Sequence, residues 1–373
     1  MAKKILITIG VIAVIAIGVF FLLRSQQYVK TKNTINIAAI LSLTGSGADY
    51  GNDQLKAIEV VKDSLSKSKT KYAYNFIVQD SKSTPKDGLQ ALNNVLSTNR
   101  IDAVMVVLTP ICLALKPITE KNSIPFFCVG SNPDITNNTD LVFRSLPTSD
   151  YQIEQLVANY SDFKSFNSIS IVYLNDDFGI GNSKSFKEAI QKKGIKLLQE
   201  QAINADQTNN RMVLSKIIKE NPECIFIAFY SKTLANILRQ LKELDYKGQI
   251  LSTMQISDPE VLQLAGNASE NVIFLSAYIE PKGNEARNFV DTYTKKYNIP
   301  PTLDAIWAYD ELQVIIKTIE QNDYSLDAFR ALKGVAEFES PNGSFKINSL
   351  GDFEYSLKLF TIKNNEKILL NRS

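Results

Sequence analysis

Histidine is absent from all 373 residues of the sequence. Its absence removes the side chain that most often acts as a general base near neutral pH, and also the commonest nitrogen ligand for zinc or copper. Ser-His-Asp triads and His-metal sites are therefore excluded, and no other pair of nucleophile and base stands out. We predict that the protein is not an enzyme and holds no metal or cofactor.

A surplus of charge is also lacking. The sequence has 41 basic and 39 acidic side chains, which leaves a formal net charge of only +2. Nucleic-acid binding depends on a large positive field that neutralises phosphates, and such a field is not available here. No nucleic-acid partner is predicted.

Cysteine is scarce: the sequence contains only Cys112, Cys128 and Cys224, with no C-x-x-C pair. Cys128 and Cys224 lie in apolar runs, so buried free thiols are the simpler interpretation. Outside the cytoplasm an odd number still leaves room for one disulfide, and Cys112 with Cys128 is the pair to test.

Charge is missing from residues 5–23, ILITIGVIAVIAIGVFFLL. The length of this run is close to the ~20 residues that a helix needs to cross a bilayer. A cleavable secretory signal usually has a shorter apolar core and a small-residue cleavage site, which this run lacks. We therefore expect an uncleaved transmembrane anchor at residues 5–23, so the membrane is an expected partner. Residues 1–32 as a whole would form this anchor and a polar tether.

From residue 33 onward, short β-branched runs alternate with segments of helical period. The runs are INIAAIL, YNFIVQD, AVMVV and IPFFCVG, and after residue 146 SISIVYL, IKLLQEQAI, CIFIAF, GQILST and VIFLSAY. Near-continuous apolar strands separated by helices predict parallel sheets covered on both faces. The sequence thus predicts an α/β fold with two doubly wound lobes. Residues 343–362 alternate in polarity and predict antiparallel strands.

Two glycine-containing loops follow the first predicted strand of each lobe, LSLTGSGADYGND at 41–53 and NDDFGIGNSKS at 175–185. The third glycine of the first loop is one residue too far for a dinucleotide fingerprint, and the second loop lacks the G-K-[ST] of a P-loop. Both loops lie at carboxyl ends of strands, where open α/β sheets bind ligands. We expect an organic ligand in a cleft between the lobes.

Thr109 and Pro110 follow the strand AVMVV, which predicts Thr109 as the N-cap of a helix. The free backbone N–H groups and the threonine hydroxyl would then form an anion site of carboxylate size. An ordinary capped helix explains the same pattern. Gly130 and Ser131 follow the next strand and would lie beside this helix end.

Further segments occur in order along residues 33–362: INIAAILSLTGSGADYGNDQLKAIEVV, VQDSKSTP, SIPFFCVGSNPDIT, FRSLPTSDYQ, VYLNDDFGIGNSKSFKEAIQKKG, IFIAFYSKTLANILRQLKELDYKGQIL, the pair Tyr309-Asp310, and GSFKINSLGD. Together they resemble the type I periplasmic binding proteins of the branched-chain amino acid (Leu/Ile/Val-binding) class. The resemblance implies two lobes joined by three crossovers around a cleft. We place lobe 1 at residues 33–146 and 279–340, and lobe 2 at residues 147–278 and 341–373.

The same resemblance implies the ligand-binding residues. Thr109 matches the serine that holds the ligand carboxylate, with the backbone of Val107 beside it, and Ser131 after Gly130 matches a neighbouring threonine. Three further positions match aromatic residues that surround the ligand: Tyr50, Phe178 and Tyr230. Each of these residues could instead pack at the edge of the cleft.

One position departs from the pattern of the family. Amino-acid binders of this class use a carboxylate of the second lobe to receive the ligand ammonium, and ungapped matching places Met254 there. A thioether cannot neutralise a cation. Gln255, Asp258, Asp176 or Asp177 would have to substitute, or the ligand has no ammonium, as in keto acids, aromatic acids or short amides.

The resemblance implies an extracytoplasmic binding protein that delivers a small carboxylate-bearing ligand to the permease subunits of an ABC-type importer, and the expected anchor would tether it to the cytoplasmic membrane. The alternative is a ligand-sensing receptor ectodomain that signals through a partner protein.

Overall fold

The computed structural model describes residues 34–160, 163, 165–278 and 280–370. The predicted anchor at residues 5–23 and the tether up to residue 32 lie outside the described residues. Among the residues that are described, no helix combines the length and apolarity needed to span a membrane.

The first sheet is parallel throughout and has the strand order β2-β1-β3-β4-β5. Its central strands are apolar on both faces because helices cover both sides, and every residue of β3 is buried. The strands and their connecting helices are β1 (Thr34–Leu41), α1 (Ala48–Lys67), β2 (Ala73–Asp80), α2 (Pro85–Thr98), β3 (Ala103–Val107), α3 (Thr109–Lys121), β4 (Phe126–Val129) and β5 (Val142–Arg144).

The second sheet has the order β15-β14-β10-β9-β8-β6-β7, and only β14 and β15 run antiparallel to their neighbours. Its elements are α4 (Ser149–Asn159), β6 (Ser168–Leu174), α5 (Asp177–Lys192), β7 (Lys196–Ile203), α6 (Arg211–Lys219), β8 (Cys224–Ala228), α7 (Ser231–Glu243), β9 (Gln249–Ser252), α8 (Pro259–Ala265), β10 (Ile273–Ala277), β14 (Leu357–Lys363) and β15 (Glu366–Leu369).

The chain between β10 and β14 returns to the first sheet. It forms α9 (Gly283–Tyr297), α10 (Leu303–Asn322) and α11 (Leu326–Arg330), followed by a small antiparallel sheet of β11 (Glu337–Ser340), β12 (Gly343–Ile347) and β13 (Phe353–Tyr355). Helix α10 is buried on most of its circumference and packs against α1. Within residues 34–370 the chain therefore crosses between the two large sheets three times.

The predicted two-lobed α/β architecture is confirmed, and most predicted strands agree with the observed bounds within two residues. Strands β5, β11 and β15 are absent from the sequence prediction because they are short and lie at sheet edges or beside crossovers. The lobe bounds remain a prediction, because the small sheet at 337–355 lies between the two large sheets along the chain. The cysteines are free and buried.

A buried ion pair joins the edge of the first sheet to the small sheet. The Arg144 guanidinium donates to Asp352 Oδ1 at 2.6 and 3.0 Å, and Thr136 donates to the same carboxylate oxygen at 2.7 Å. Arg144 is only 1 % exposed, so this pair is shielded from solvent. The contact fixes the small sheet beside strand β5.

Two adjacent carboxyl groups of α10 face the crossovers. Asp310 accepts from the hydroxyls of Ser340 at 2.7 Å and Tyr355 at 2.8 Å, while Glu311 accepts from Ser145 at 2.7 Å. Burial raises the pKa of both Asp310 and Glu311 to about 8. We call the region where the chain crosses between the two large sheets the hinge, and Asp310, Glu311 and Asp352 the hinge carboxyls.

Candidate functional site

Carboxyl ends of strands from both lobes face each other across a cleft. At its centre lies an inner cavity with an empty volume of about 330 Å³. It is lined by Tyr50, Val107, Leu108, Thr109, Val129, Leu146, Phe178, Tyr230, Gln255, Asp304 and Trp307. Most of these side chains are aliphatic or aromatic, and only a few polar groups reach the cavity, which is typical of small-molecule sites.

An outer cavity of about 680 Å³ adjoins the first and shares Tyr50, Gln255, Asp304 and Trp307 with it. Its other walls are Met254, Ser257, Asp258, Pro259, Pro300, Pro301, Thr302, Leu303 and Lys367. The shared residues make the two cavities parts of one cleft.

Thr109 is the first residue of α3, but it is not the helix cap. The prediction of Thr109 as N-cap is wrong, since Leu108 occupies that position and no side chain caps the helix. The Thr109 hydroxyl oxygen instead accepts from the backbone N–H of Ser131 at 3.0 Å. Its hydroxyl hydrogen therefore remains available to a ligand, as does the Thr109 N–H, which makes no hydrogen bond within the described residues.

Leu108 has the unusual backbone angles φ 81° and ψ 126°. A leucine in this region is strained by about 1 to 3 kcal/mol, and such strain is concentrated at binding sites. Its side chain lines the inner cavity and packs against Gly47, where an added Cβ would lie 2.6 Å from Leu108 Cδ1. Gly45 has φ +89°, which glycine adopts without steric strain, so it allows the turn. The glycines of the first loop thus serve a turn and a close approach.

Gly130 and Ser131 support the site without lining either cavity. A Cβ at Gly130 would lie 2.7 Å from Ile135 Cδ1 and 3.1 Å from Thr109 Cα, so the loop after β4 packs directly on the start of α3. The Ser131 hydroxyl accepts from Asn182 Nδ2 at 3.4 Å. Because Asn182 belongs to α5, this contact joins the lobes across the cleft.

The predicted aromatic residues come together. The rings of Tyr50 and Tyr230 meet edge to face at 5.9 Å, and those of Phe178 and Tyr230 lie 5.1 Å apart. The Tyr230 hydroxyl donates to Asp176, whose other oxygen caps α5 by accepting from Gly179 N–H at 2.9 Å. Burial raises the pKa of Tyr230 well above its usual value, so the hydroxyl stays a donor.

None of the three aspartates considered as ammonium partners lines the inner cavity. Asp176 is engaged as a helix cap, Asp177 is exposed, and neither lines a cavity. Met254 and Asp258 line the outer cavity only. Asp258 caps α8 by accepting from Glu260 N–H at 2.8 Å, and burial raises the pKa of Asp258 to about 7. Position 254 therefore supplies no charge to the cleft.

Asp304 and Trp307 were not found by sequence reasoning. Both come from the start of α10, spaced three residues apart so that they share one helix face, and both line the inner and the outer cavity. Burial, reinforced by the neighbouring carboxylates of Asp258 and Asp53, raises the pKa of Asp304 well above its usual value. An acidic residue in the otherwise apolar first two turns of the helix, LDAIWAY, was the available signal.

The remaining unpredicted lining residues are Leu108, Val129 and Leu146, which make the first-lobe wall of the inner cavity apolar. No cluster of His, Cys, Asp or Glu suited to a metal ion occurs among the residues that the structure describes. The arrangement can surround a small organic molecule and direct a few hydrogen bonds to it.

Comparisons with known proteins point to a family of binding proteins. The sequence profile of the family described as periplasmic binding protein matches residues 34–367. A leucine-, isoleucine-, valine-, threonine- and alanine-binding protein from Pseudomonas aeruginosa is 21 % identical over 345 residues, which are 88 % of this chain and 89 % of the relative.

Solved structures show the same fold. A leucine-binding protein from Thermotoga maritima superimposes with a TM-score of 0.81 at 22 % identity, over 90 % of this chain and 98 % of that structure. A solute-binding protein of an ABC transporter from R. palustris, solved with benzoate, gives a TM-score of 0.82 at 18 % identity, over 91 % and 96 % of the two chains.

The resemblance found in the sequence is thereby confirmed, and homologues of this family act outside the cytoplasm. The chain belongs to the periplasmic binding protein family and is a binding protein, not an enzyme.

Proposed function

We propose that the protein captures a small organic acid in the inner cavity, through a carboxylate held at the start of α3, and delivers it to the permease subunits of an ABC importer. The observation that carries this proposal is the Thr109 hydroxyl. It lies at a helix N-terminus in an apolar cavity, with its hydrogen and the Thr109 N–H both free to donate. The positive end of the α3 dipole favours an anion at the same point.

The rest of the inner cavity suits the apolar body of such a ligand. Val107, Leu108, Val129 and Leu146 form an aliphatic wall on the first lobe, and Phe178 faces them from the second lobe. The names of the relatives from P. aeruginosa and T. maritima include leucine as a ligand, and one structural neighbour was solved with benzoate. Aliphatic and aromatic acids of this size are therefore the ligands to test.

Titration calorimetry tests the carboxylate site with leucine, 4-methyl-2-oxopentanoate and benzoate as probes. Thr109→Ala removes one donor to a charged group, so affinity for the probes that bind is expected to fall by about 1 to 3 kcal/mol. Thr109→Ser keeps the hydroxyl and should retain most of the affinity.

Thr119→Ala is the matched control, because Thr119 is a buried threonine of the same helix that lies outside the cavity linings. Its affinity should equal that of the unaltered protein. If Thr109→Ala also left every affinity unchanged, the carboxylate would have to bind elsewhere.

The proposed location is the outer face of the cytoplasmic membrane, with residues 5–23 as an uncleaved anchor. The uncharged apolar run without a cleavage site supports this proposal. Mass spectrometry of the native protein from the membrane fraction is expected to find residues 1–23 still attached. A new N-terminus between residues 24 and 32 would show a secreted binder instead. No observation on the described residues favours the receptor alternative.

A further inference from the structure

We propose that Asp304 and Gln255 together receive an ammonium group of the ligand, so that the protein prefers acids that also carry a protonated amine. This inference rests on the proposed function, because it concerns the other end of the same ligand. Asp304 comes from the first turn of α10, and Gln255 comes from the short 3-10 turn Met254–Ser257 after β9. Both line the inner and the outer cavity.

Unused hydrogen-bonding atoms at the junction of the two cavities point to a ligand. The Gln255 Oε1 atom is buried and has no hydrogen-bond partner among the described residues, and neither does the indole N–H of Trp307. Trp307 is only 2 % exposed and also lines both cavities. Buried polar atoms are rarely left unpaired, so a molecule that supplies an N–H donor and an acceptor would complete the set.

The charges around Asp304 favour a cation. Within the described part of the chain, Asp304 forms no salt bridge. Asp53 lies nearby but is already paired with Lys56 at 2.8 Å, and the Asp258 carboxylate adds further negative charge. Without a counter-charge Asp304 is held largely as the neutral acid, as its raised pKa indicates, whereas a bound ammonium would favour the carboxylate form and pair with it.

Lys367 does not fill this role, although it lines the outer cavity. Its Nζ atom donates to the Ser276 hydroxyl and to the Ala277 carbonyl, both at 3.2 Å, and lies over the Phe360 ring at 4.6 Å. Burial lowers the pKa of Lys367 to about 8 without a contribution from any carboxylate. Lys367 is therefore not a counter-charge for Asp304, and a ligand ammonium would supply one.

This arrangement resolves the departure at position 254. The family pattern places the ammonium partner on the second lobe, where this chain has Met254. Here the carboxylate comes from the first lobe, and the second lobe adds the neutral acceptor of Gln255. An ammonium between them would contact both lobes and stabilise the closed cleft.

Titration calorimetry of the full-length protein tests the inference with three probes. L-norleucine and hexanoate share a six-carbon acid skeleton and differ in the α-ammonium, while L-lysine adds a terminal ammonium to norleucine. We expect norleucine, lysine or both to bind at least tenfold more tightly than hexanoate. Tighter binding of norleucine than of lysine would assign the site to the α-ammonium, and the reverse order would assign it to a side-chain ammonium.

Asp304→Asn keeps the shape of the side chain and removes its charge. It should weaken binding of the preferred ammonium probe at least tenfold and leave hexanoate binding unchanged or tighter. Gln255→Leu should weaken the same probe without affecting hexanoate, and it provides a second variant should Asp304→Asn unfold. Asp177→Asn, at an exposed carboxylate outside both cavities, is the control.

Equal affinities for hexanoate and the ammonium probes, failure of both ammonium probes to bind, or ammonium binding that is insensitive to both variants would overturn the inference. Hexanoate binding that still depends on Thr109 would then leave the proposed function intact. If Thr109→Ala left the affinity for hexanoate unchanged, the proposed function itself would be contradicted.

Discussion

Carboxyl groups that are buried or half-buried occupy two regions of this molecule, the hinge and the cleft, and their hydrogen-bond partners differ. At the hinge, Asp352 is paired with Arg144, and Asp310 and Glu311 accept hydrogen bonds from hydroxyls of the crossovers. In the cleft, the half-buried Asp304 has neither a cation nor a side-chain donor among the described residues. Each hinge carboxyl group thus has at least one side-chain donor, although Asp310 Oδ1 and Glu311 Oε2 have no partner among the described residues, whereas Asp304 has no side-chain donor at all.

The same contrast separates stability from affinity. Changes at the hinge carboxyls should alter the free energy of unfolding and leave ligand binding nearly unaffected. Changes in the cleft should alter ligand binding, because the groups there are not used to hold the chain together. The three predictions below test the hinge half of this contrast, from the largest expected effect to the smallest.

Arg144→Met should have the largest effect. It removes the cation from a pair that is almost fully shielded from solvent and leaves Asp352 as a buried unpaired charge. Breaking such a pair typically costs about 3 to 5 kcal/mol of stability. Urea unfolding followed by circular dichroism measures this loss.

Arg211→Met provides the matched control, because Arg211 pairs with Glu243 on the surface, where both side chains are about half exposed. Its cost should stay below about 1 kcal/mol. Equal losses for the two variants would show that burial does not set the strength of the Arg144–Asp352 pair.

Sequence reasoning reached the fold because the strands of both sheets are short apolar runs separated by amphipathic helices. Runs such as AVMVV and SISIVYL coincide with β3 and β6, because strands buried on both faces leave a continuous apolar signal. The aromatic residues Tyr50, Phe178 and Tyr230 also come together as the strand ends predict. Their role in ligand binding remains a prediction.

The parts that were missed depend on long-range contacts. Asp304 lies almost two hundred residues after Thr109, and although residues 279–340 were assigned to the first lobe, no local pattern shows that the start of α10 opens into the cleft. The cap at Thr109 was predicted wrongly because its hydroxyl serves the Ser131 backbone of another loop, a tertiary contact that overrides local capping. The hinge carboxyls are likewise visible only when the crossovers meet.

The pH dependence of stability tests two of the hinge carboxyls, Asp310 and Glu311, together. Folding raises the pKa of Asp310 from 3.8 and that of Glu311 from 4.5, in both cases to about 8. Between these values the folded state binds more protons than the unfolded chain, so the contribution of these two groups to stability is fullest below about pH 4 and is lost as pH rises towards 8. The free energy of unfolding should therefore decrease between pH 5 and pH 8.

The double variant Asp310→Asn and Glu311→Gln should flatten this dependence, because amides do not titrate and still accept from Ser145, Ser340 and Tyr355. Denaturant unfolding at several pH values measures the slope. Asp258 and Asp304 in the cleft have raised pKa values and leave a residual slope of the same sign. An unchanged slope in the double variant would assign the pH dependence to the cleft instead of the hinge.

Ser340→Ala should have the smallest effect and separates the two regions most directly. The Ser340 hydroxyl donates to Asp310 at 2.7 Å and accepts from Asn342 N–H at 3.1 Å. Tyr355 continues to donate to Asp310 in the variant, so the loss of stability should be about 1 kcal/mol. Ligand affinity in titration calorimetry should stay within twofold of the unaltered protein, because Ser340 lines neither cavity. A tenfold change in affinity with little change in stability would mean that the hinge carboxyls set the balance between open and closed lobes, and the division between hinge and cleft would have to be abandoned.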